Sequence, residues 1–310
     1  MKSAVRRVAQ PVGRFVPGDP GSGYYNDLTV KARELGTPRD ALREAVRLTS
    51  DRRRLVPVTV AQLGLAAWTL GSSNQEWSMV AADVAERLAT LLDPDGRLPY
   101  LFDFPHTYPV RAPWSSAMAQ GEIVSLLVRV GAETGSDALM GAAALAAGPL
   151  LDPASELLTR TPQGLVLQEY PTEPVSHVLN GWIFALWGLY DLGCTGDGPA
   201  AAAFRSGAET LARRLHLYRT WPGWSRYDLF PHPVVHVASP FYHALHVAQL
   251  EAMQCLYPCE EFARHVERWS RTAASAAPSG LAVGRKAMFR GLRPRSGARR
   301  ALGVTHVAAP

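Results

Sequence analysis

The residues of this sequence best suited to chemistry are three tyrosines and their polar neighbours. Tyr170 follows Glu169 in a Glu-Tyr-Pro-Thr run, Tyr227 sits between Arg226 and Asp228, and Tyr242 precedes His243, with His246 one helical turn on. Gln120 and Asn180 each open a strongly apolar run. Phenols, carboxylates and imidazoles can pass protons, but a phenol ionises near pKa ~10 and acts as a base near neutral pH only where its surroundings lower that value. Each residue alone reads equally well as a cap or a hydrogen-bonded core group. Walker loops, GxGxxG, GxSxG and HExxH occur in no convincing context, so nucleotide and hydrolase chemistry has no motif to rest on. Cys194, Cys255 and Cys259 form no recurrent pair, which argues against a disulfide framework or a zinc site.

Helices must position these residues. Thr37-Pro38-Arg39-Asp40 offers a cap, a proline at the first helical position and an acid in the first turn. The spacing predicts helices at 57–70, 73–92, 115–134, 137–150, 180–192, 199–217, 239–256 and 258–271. The connections 93–114, 151–179 and 218–238, rich in Pro, Gly and aromatics, suggest short hairpins. Gln62, Gln120, Asn180 and His243 recur at intervals of roughly 60 residues, each before an apolar stretch. Apolar helices alternating with amphipathic ones give a mainly α fold, an α/α toroid or incomplete α/α barrel. The starts of its inner helices would share one cleft, and their dipoles would favour an anion there.

Charge divides the chain. Eight basic and no acidic residues follow position 270, leaving 24 basic against 27 acidic before it. The division read from this is an N-terminal extension with a helix at 1–54, a catalytic domain at 55–271, and a basic, disordered, solvated tail at 272–310. No stretch is long and apolar enough for a signal core or a membrane span, so the default expectation is a cytoplasmic protein.

Pro113-Trp114-Ser115-Ser116-Ala117-Met118-Ala119-Gln120-Gly121-Glu122, Glu169-Tyr170-Pro171-Thr172 with Val178-Leu179-Asn180-Gly181, Gly188-Leu189-Tyr190-Asp191-Leu192, Tyr227-Asp228-Leu229 and Tyr242-His243 with His246 appear in that order. Over about residues 55 to 270 the chain resembles the C-terminal domain of heparosan and heparan sulfate D-glucuronyl C5-epimerases. The resemblance implies a helical catalytic domain without metal or redox cofactor. It places the catalytic Glu-Tyr pair on Glu169 and Tyr170, two further active-site tyrosines on Tyr227 and Tyr242, and substrate neighbours on Asn180 and His243. Two departures stand out: Phe230-Pro231 replaces the family's Arg-His after Tyr-Asp-Leu, and the animal relatives' β-rich N-terminal region has no counterpart in the first 50 residues.

Such an enzyme would invert C5 of glucuronate in an acidic polysaccharide or uronate glycoside. A C5 proton beside a carboxylate becomes removable once that carboxylate is neutralised, and inversion needs a base on one face and an acid on the other. Tyr170, Tyr227 and Tyr242 are the proton-transfer candidates; His243, His246 or Arg226 would steady the carboxylate. The competing readings are a uronate-specific polysaccharide lyase, which shares the first step, and a non-catalytic acidic-glycan-binding protein. No nucleic-acid partner is expected, and a homodimer is left open.

Overall fold

Helix boundaries fall where the caps are. The computed structural model describes residues 9–105, 107, 109–273 and 276–292. Its first half contains α1 (Thr29–Arg33), α2 (Pro38–Thr49), α3 (Pro57–Gly71), α4 (Gln75–Leu91), strands β1 (Phe104–Pro105) and β2 (Pro109–Val110), α5 (Ala117–Thr134) and α6 (Asp137–Leu151). Strands β3 (Leu158–Thr161) and β4 (Gly164–Leu167), α7 (Leu179–Cys194), α8 (Gly198–Arg214), β5 (Arg219–Thr220), β6 (Trp224–Ser225), α9 (Pro240–Leu256), α10 (Glu260–Ala273) and α11 (Ala276–Leu292) follow. Thr37 and Asp40 form a reciprocal capping box on α2, and the side chains of Ser116, Asp197 and Ser239 cap α5, α8 and α9.

The result is an α/α toroid. Inner helices α3, α5, α7 and α9 pack in that order, each backed by the helix that follows it. The division follows composition: α7 is buried on nearly every side, whereas α10 buries only Phe262, His265 and Trp269, a stripe at helical spacing. Fully buried leucines such as Leu65, Leu126 and Leu186 each contribute about 2 kcal/mol relative to exposure. Close approach of α5 and α7 needs glycine: a Cβ on Gly188 would lie 2.3 Å from the carbonyl oxygen of Gly121. Each short hairpin, β1–β2, β3–β4 and β5–β6, lies in a connection where aromatic-rich loops suggested one.

Two boundaries read from the sequence need correction. The described residues up to 54 are not an extension outside the domain, because Tyr24, Tyr25, Leu28, Ala41 and Ala45 join the same hydrophobic core as the inner helices. Their anchor is polar. Arg129 and Asp191, both fully buried, form an ion pair; the guanidinium also donates to the carbonyl of Gly23 at 3.0 Å, and the hydroxyl of Tyr25 donates to Asp191. The second correction concerns the basic tail. Its 276–292 portion is α11, which buries Ala282 against Trp224 and Val237 and stacks Phe289 on His236 at 4.1 Å. Apolar residues seven apart give it one sticky face that its Gly and Arg content conceals. Residues 293–310 of the expected tail lie outside the described residues.

Candidate active site

The β3–β4 hairpin delivers the chain to Glu169 and Tyr170. Gln168 fixes the exit, its carbonyl accepting from the Ala117 amide at the start of α5 (3.0 Å) and its side chain accepting from the His177 amide (3.2 Å). His177 takes a left-handed φ of 45°, and the Tyr218 hydroxyl holds it by donating to its carbonyl at 2.7 Å. The connection after β6 is laced to this loop: Leu179 N–H donates to Tyr227 O at 3.2 Å and Leu229 N–H to Ser176 O at 2.9 Å. Two loops far apart in sequence thereby become one platform beside the start of α7.

An extended segment would send Glu169 and Tyr170 to opposite sides. The loop bends instead, and the Tyr170 hydroxyl hydrogen-bonds to the Glu169 carboxyl group. Burial pushes the Glu169 carboxyl up to about 8; the Tyr170 hydrogen bond opposes this, and nearby Asp228 adds to it. Glu169 is therefore a neutral acid around pH 7, able to donate. Gly181 makes room for it, since a Cβ there would come within 2.3 Å of Oε2. Tyr227 adjoins Asp228, and its ring meets that of Tyr242 edge-on at 4.9 Å. On the other flank, Tyr170 packs on Trp114, which stacks on Tyr100 at 3.9 Å. Glu169 and the three tyrosines are all at most 8% exposed; Asp228, beside Tyr227, lies within electrostatic reach of Glu169, and the platform's backbone hydrogen bonds tie the two loops together.

Not every expected site residue belongs to it. Gln120 braces loops: its Oε1 accepts from Leu98 N–H at 3.0 Å, and its Nε2 donates to the carbonyls of Gly96 (2.8 Å) and Ala146 (2.9 Å). This corrects its expected place in the shared cleft at the inner-helix starts, because the amide is spent inside the fold. His243 is corrected for the same reason. It is fully buried, stacked on Trp224 at 3.8 Å, with Nδ1 accepting from Ser225 N–H and Nε2 3.2 Å from the Trp269 carbonyl; burial lowers its pKa to about 4. His246 lies behind Ser225, with Nδ1 2.9 Å from its hydroxyl, and is enclosed as completely. Asn180 sits next to Gly181, and its Oδ1 is buried without a hydrogen-bond partner among the described residues. Arg226 is half-buried, tied through its backbone to Tyr218.

Sequence reasoning missed Glu122, Lys31 and the groups around Asp228. Gln62 donates to Glu122 at 2.8 Å and accepts from the Lys31 ammonium, which places a carboxylate inside an apolar helix within electrostatic reach of Glu169. Burial pushes Glu122 up to about 8, with Gln62 and Lys31 opposing. An acid in an otherwise apolar run was the signal available. Because its folded pKa is raised, the stability tied to the Glu122 proton is full below about 4.5 and disappears as pH rises through about 8. The melting temperature should accordingly fall between pH 5.5 and 9 by less in Glu122→Gln than in the wild type; parallel declines would refute the raised pKa.

Asp228, His232 and His236 are the set among the described residues whose ligand atoms gather within 4.8 Å. His236 Nδ1 lies 2.6 Å and His232 Nε2 3.3 Å from the same oxygen, Oδ2. Two ligands of a tetrahedral zinc are about 3.3 Å apart at bond lengths near ~2.0 Å, so the shorter distance describes a hydrogen bond. Burial would raise the Asp228 carboxyl, yet these two imidazoles outweigh it and hold Asp228 below the usual carboxylate range. It is a buried anion that orients its histidines. A cavity of about 920 Å³ opens elsewhere, among Arg14, Arg33, Trp68, Arg129 and Glu133 at the last turns of α3 and α5. It holds none of Tyr170, Tyr227 and Tyr242.

Comparison with known proteins follows the same geometry. The family described as D-glucuronyl C5-epimerase C-terminus matches residues 93–271. A D-glucuronyl C5-epimerase of Caenorhabditis elegans is 30% identical over 175 residues, which is 50% of this chain and 28% of that protein, so the chain spans less than a third of that relative's length. Among solved structures, a UGL variant with the saccharide dGlcA-Glc-Rha-Glc superposes with a TM-score of 0.50 at 14% identity, over 88% of this chain and 78% of that one. The unsaturated glucuronyl hydrolase of Bacillus sp. GL1, described as responsible for glycosaminoglycan degradation, gives 0.49 at 15% identity over the same shares. At such identity the first of these supports the toroid fold alone. The matched stretch contains the hydrogen-bonded Glu169–Tyr170 pair together with Tyr227 and Tyr242, and the chain belongs to the family of the D-glucuronyl C5-epimerase C-terminus.

Proposed function

We propose that this protein epimerises a uronate residue of an acidic glycan at C5, D-glucuronate to L-iduronate, using its tyrosines as proton carriers. The observation that carries the reading is the joining of a neutral, buried Glu169 to Tyr170, on a loop hydrogen-bonded to the connection that carries Tyr227, whose ring meets Tyr242. One phenolate removes the C5 hydrogen, and the electron pair moves into the carboxylate to give an enolate. A protonated Glu169 can donate to that carboxylate as its charge grows, in a site from which water is excluded. A second tyrosine on the opposite face returns a proton to C5, so the net change is inversion with no cofactor consumed. Tyrosine suits both tasks because it donates as a phenol and accepts as a phenolate.

The test is incubation in heavy water with heparosan and with other uronate glycans. Deuterium at C5 together with iduronate is the expected result. An unsaturated uronate that absorbs in the ultraviolet would instead mean a lyase, and binding without exchange across the panel would mean a glycan-binding protein.

A further inference from the structure

Helix α11, beyond the stretch matched to the family, brings a cation to Tyr227. The Lys286 ammonium donates to His236 Nε2 and to the carbonyl of Val237 at 3.2 Å, and lies 5.3 Å from the centre of the Tyr227 ring. Its helix is fixed by Phe289, stacked on the His236 ring at 4.1 Å, and by Ala282 in the cluster with Trp224 and Val237. An ammonium offers only donors, so Nε2 of His236 must accept; Nδ1 then carries the ring proton and donates to Asp228 at 2.6 Å. The order Lys286, His236, Asp228 is thus a directed chain with one tautomer.

Tyr227 lies against this chain, its ring 5.0 Å from that of His236. The titratable and charged groups on this side among the described residues include Lys286 on α11, His236, Asp228 and His232 in its own connection, Tyr242 on α9 and Arg226 beside it, with His246 within electrostatic reach of Lys286 and Glu169 within reach of Asp228. Burial keeps His236 neutral, with its pKa down to about 4, and lowers His246 as well. Asp228 is an anion and Glu169 a neutral acid. Positive charge on this side therefore comes from Lys286, with Arg226 nearby. Phe230-Pro231, at the positions where the resemblance led one to expect arginine and histidine, brings none.

We propose that Lys286 is a positioning residue for the C5 proton transfer: it locks His236 and Asp228 beside Tyr227 and stabilises the negative charge that Tyr227 must carry when it acts as a base. The proposal rests on the epimerase reading. A phenolate in a dry site is unfavourable unless a positive charge faces it, and an ammonium over the ring face acts directly on that charge.

The experiment uses the full chain carrying Lys286→Met, which keeps the apolar stem, and Lys286→Arg, with Lys286→Gln should the methionine variant fail to fold. C5 exchange is measured across pH, and the Tyr227 ring is followed by NMR of ring-labelled tyrosine, assigned with Tyr227→Phe. Loss of the ammonium should lower kcat by about 10²-fold, move the rising limb of the pH–rate profile to higher pH and leave KM less affected, while arginine restores much of the rate. The Tyr227 signal should likewise titrate at higher pH in the methionine variant. An unchanged rate and profile in a folded variant, or an unchanged Tyr227 titration, overturns the proposal. If the wild type exchanges no C5 hydrogen, the epimerase reading fails, and the Tyr227 titration alone decides the role of Lys286.

Discussion

Phenylalanine in place of Tyr170, Tyr227 or Tyr242 is expected to lower epimerisation by about 10²–10⁴-fold for at least one of the three, with folding intact. The ring is kept, and a lost hydroxyl costs about 1 kcal/mol of stability. The three variants should also differ in kind. Without the tyrosine that removes hydrogen from glucuronate, neither exchange nor inversion occurs from that side. Without the one that reprotonates the opposite face, the first tyrosine can still remove and return hydrogen, so deuterium enters C5 of glucuronate while iduronate does not accumulate. Following label and configuration together in heavy water therefore assigns the faces. Full epimerisation in all three variants would defeat the site assignment.

The largest effect on stability is expected far from that chemistry. Asp191→Asn leaves the Arg129 guanidinium buried without its counter-charge and weakens the acceptor of the Tyr25 hydroxyl, which should cost about 3–5 kcal/mol. That is a large share of the ~5–15 kcal/mol by which domains are stable, so the variant should unfold at much lower urea. Replacing both partners, Arg129→Met with Asp191→Leu, removes the stranded charge and should recover most of the loss. A single variant within 1 kcal/mol of the wild type, on the ~1 kcal/mol scale of an ordinary hydrogen bond, would show that the pair is not the anchor it looks to be.

Local signals made most helices legible. The capping phrase at Thr37 to Asp40 and the apolar spacing after Gln62, Gln120, Asn180 and His243 located α2 and all four inner helices, because caps and periodicity act within a few residues. That Glu169, Tyr170, Tyr227 and Tyr242 matter was implied by the family resemblance and not by spacing; the packing of Tyr227 on Tyr242 is a tertiary contact that no local pattern encodes. Gln120 and His243 were misread because an amide or imidazole at the start of a buried helix looks alike in sequence whether it faces a ligand or braces a loop. Lys286 was hidden for another reason. Its partner His236 lies 50 residues earlier, and only the packing of Phe289 and Ala282 brings the two together. In composition α11 resembles a solvated tail, since a single narrow apolar face does not show in a count of arginines and glycines.

The anchoring of the N-terminal segment bears on the order in which the molecule assembles. Tyr25 finds its acceptor in Asp191, 166 residues further along, and Gly23 meets Arg129 after 106. A chain made from its N-terminus thus has nothing for Tyr24 and Tyr25 to bind until α5 and α7 exist and have paired. Contacts this distant are closed late, after the local helical hairpins, and the loop-closure entropy is offset only when the ion pair and the two rings dock together. Tyr24 and Tyr25 are therefore among the last residues to reach their places, and they lock a ring of helices that has already formed.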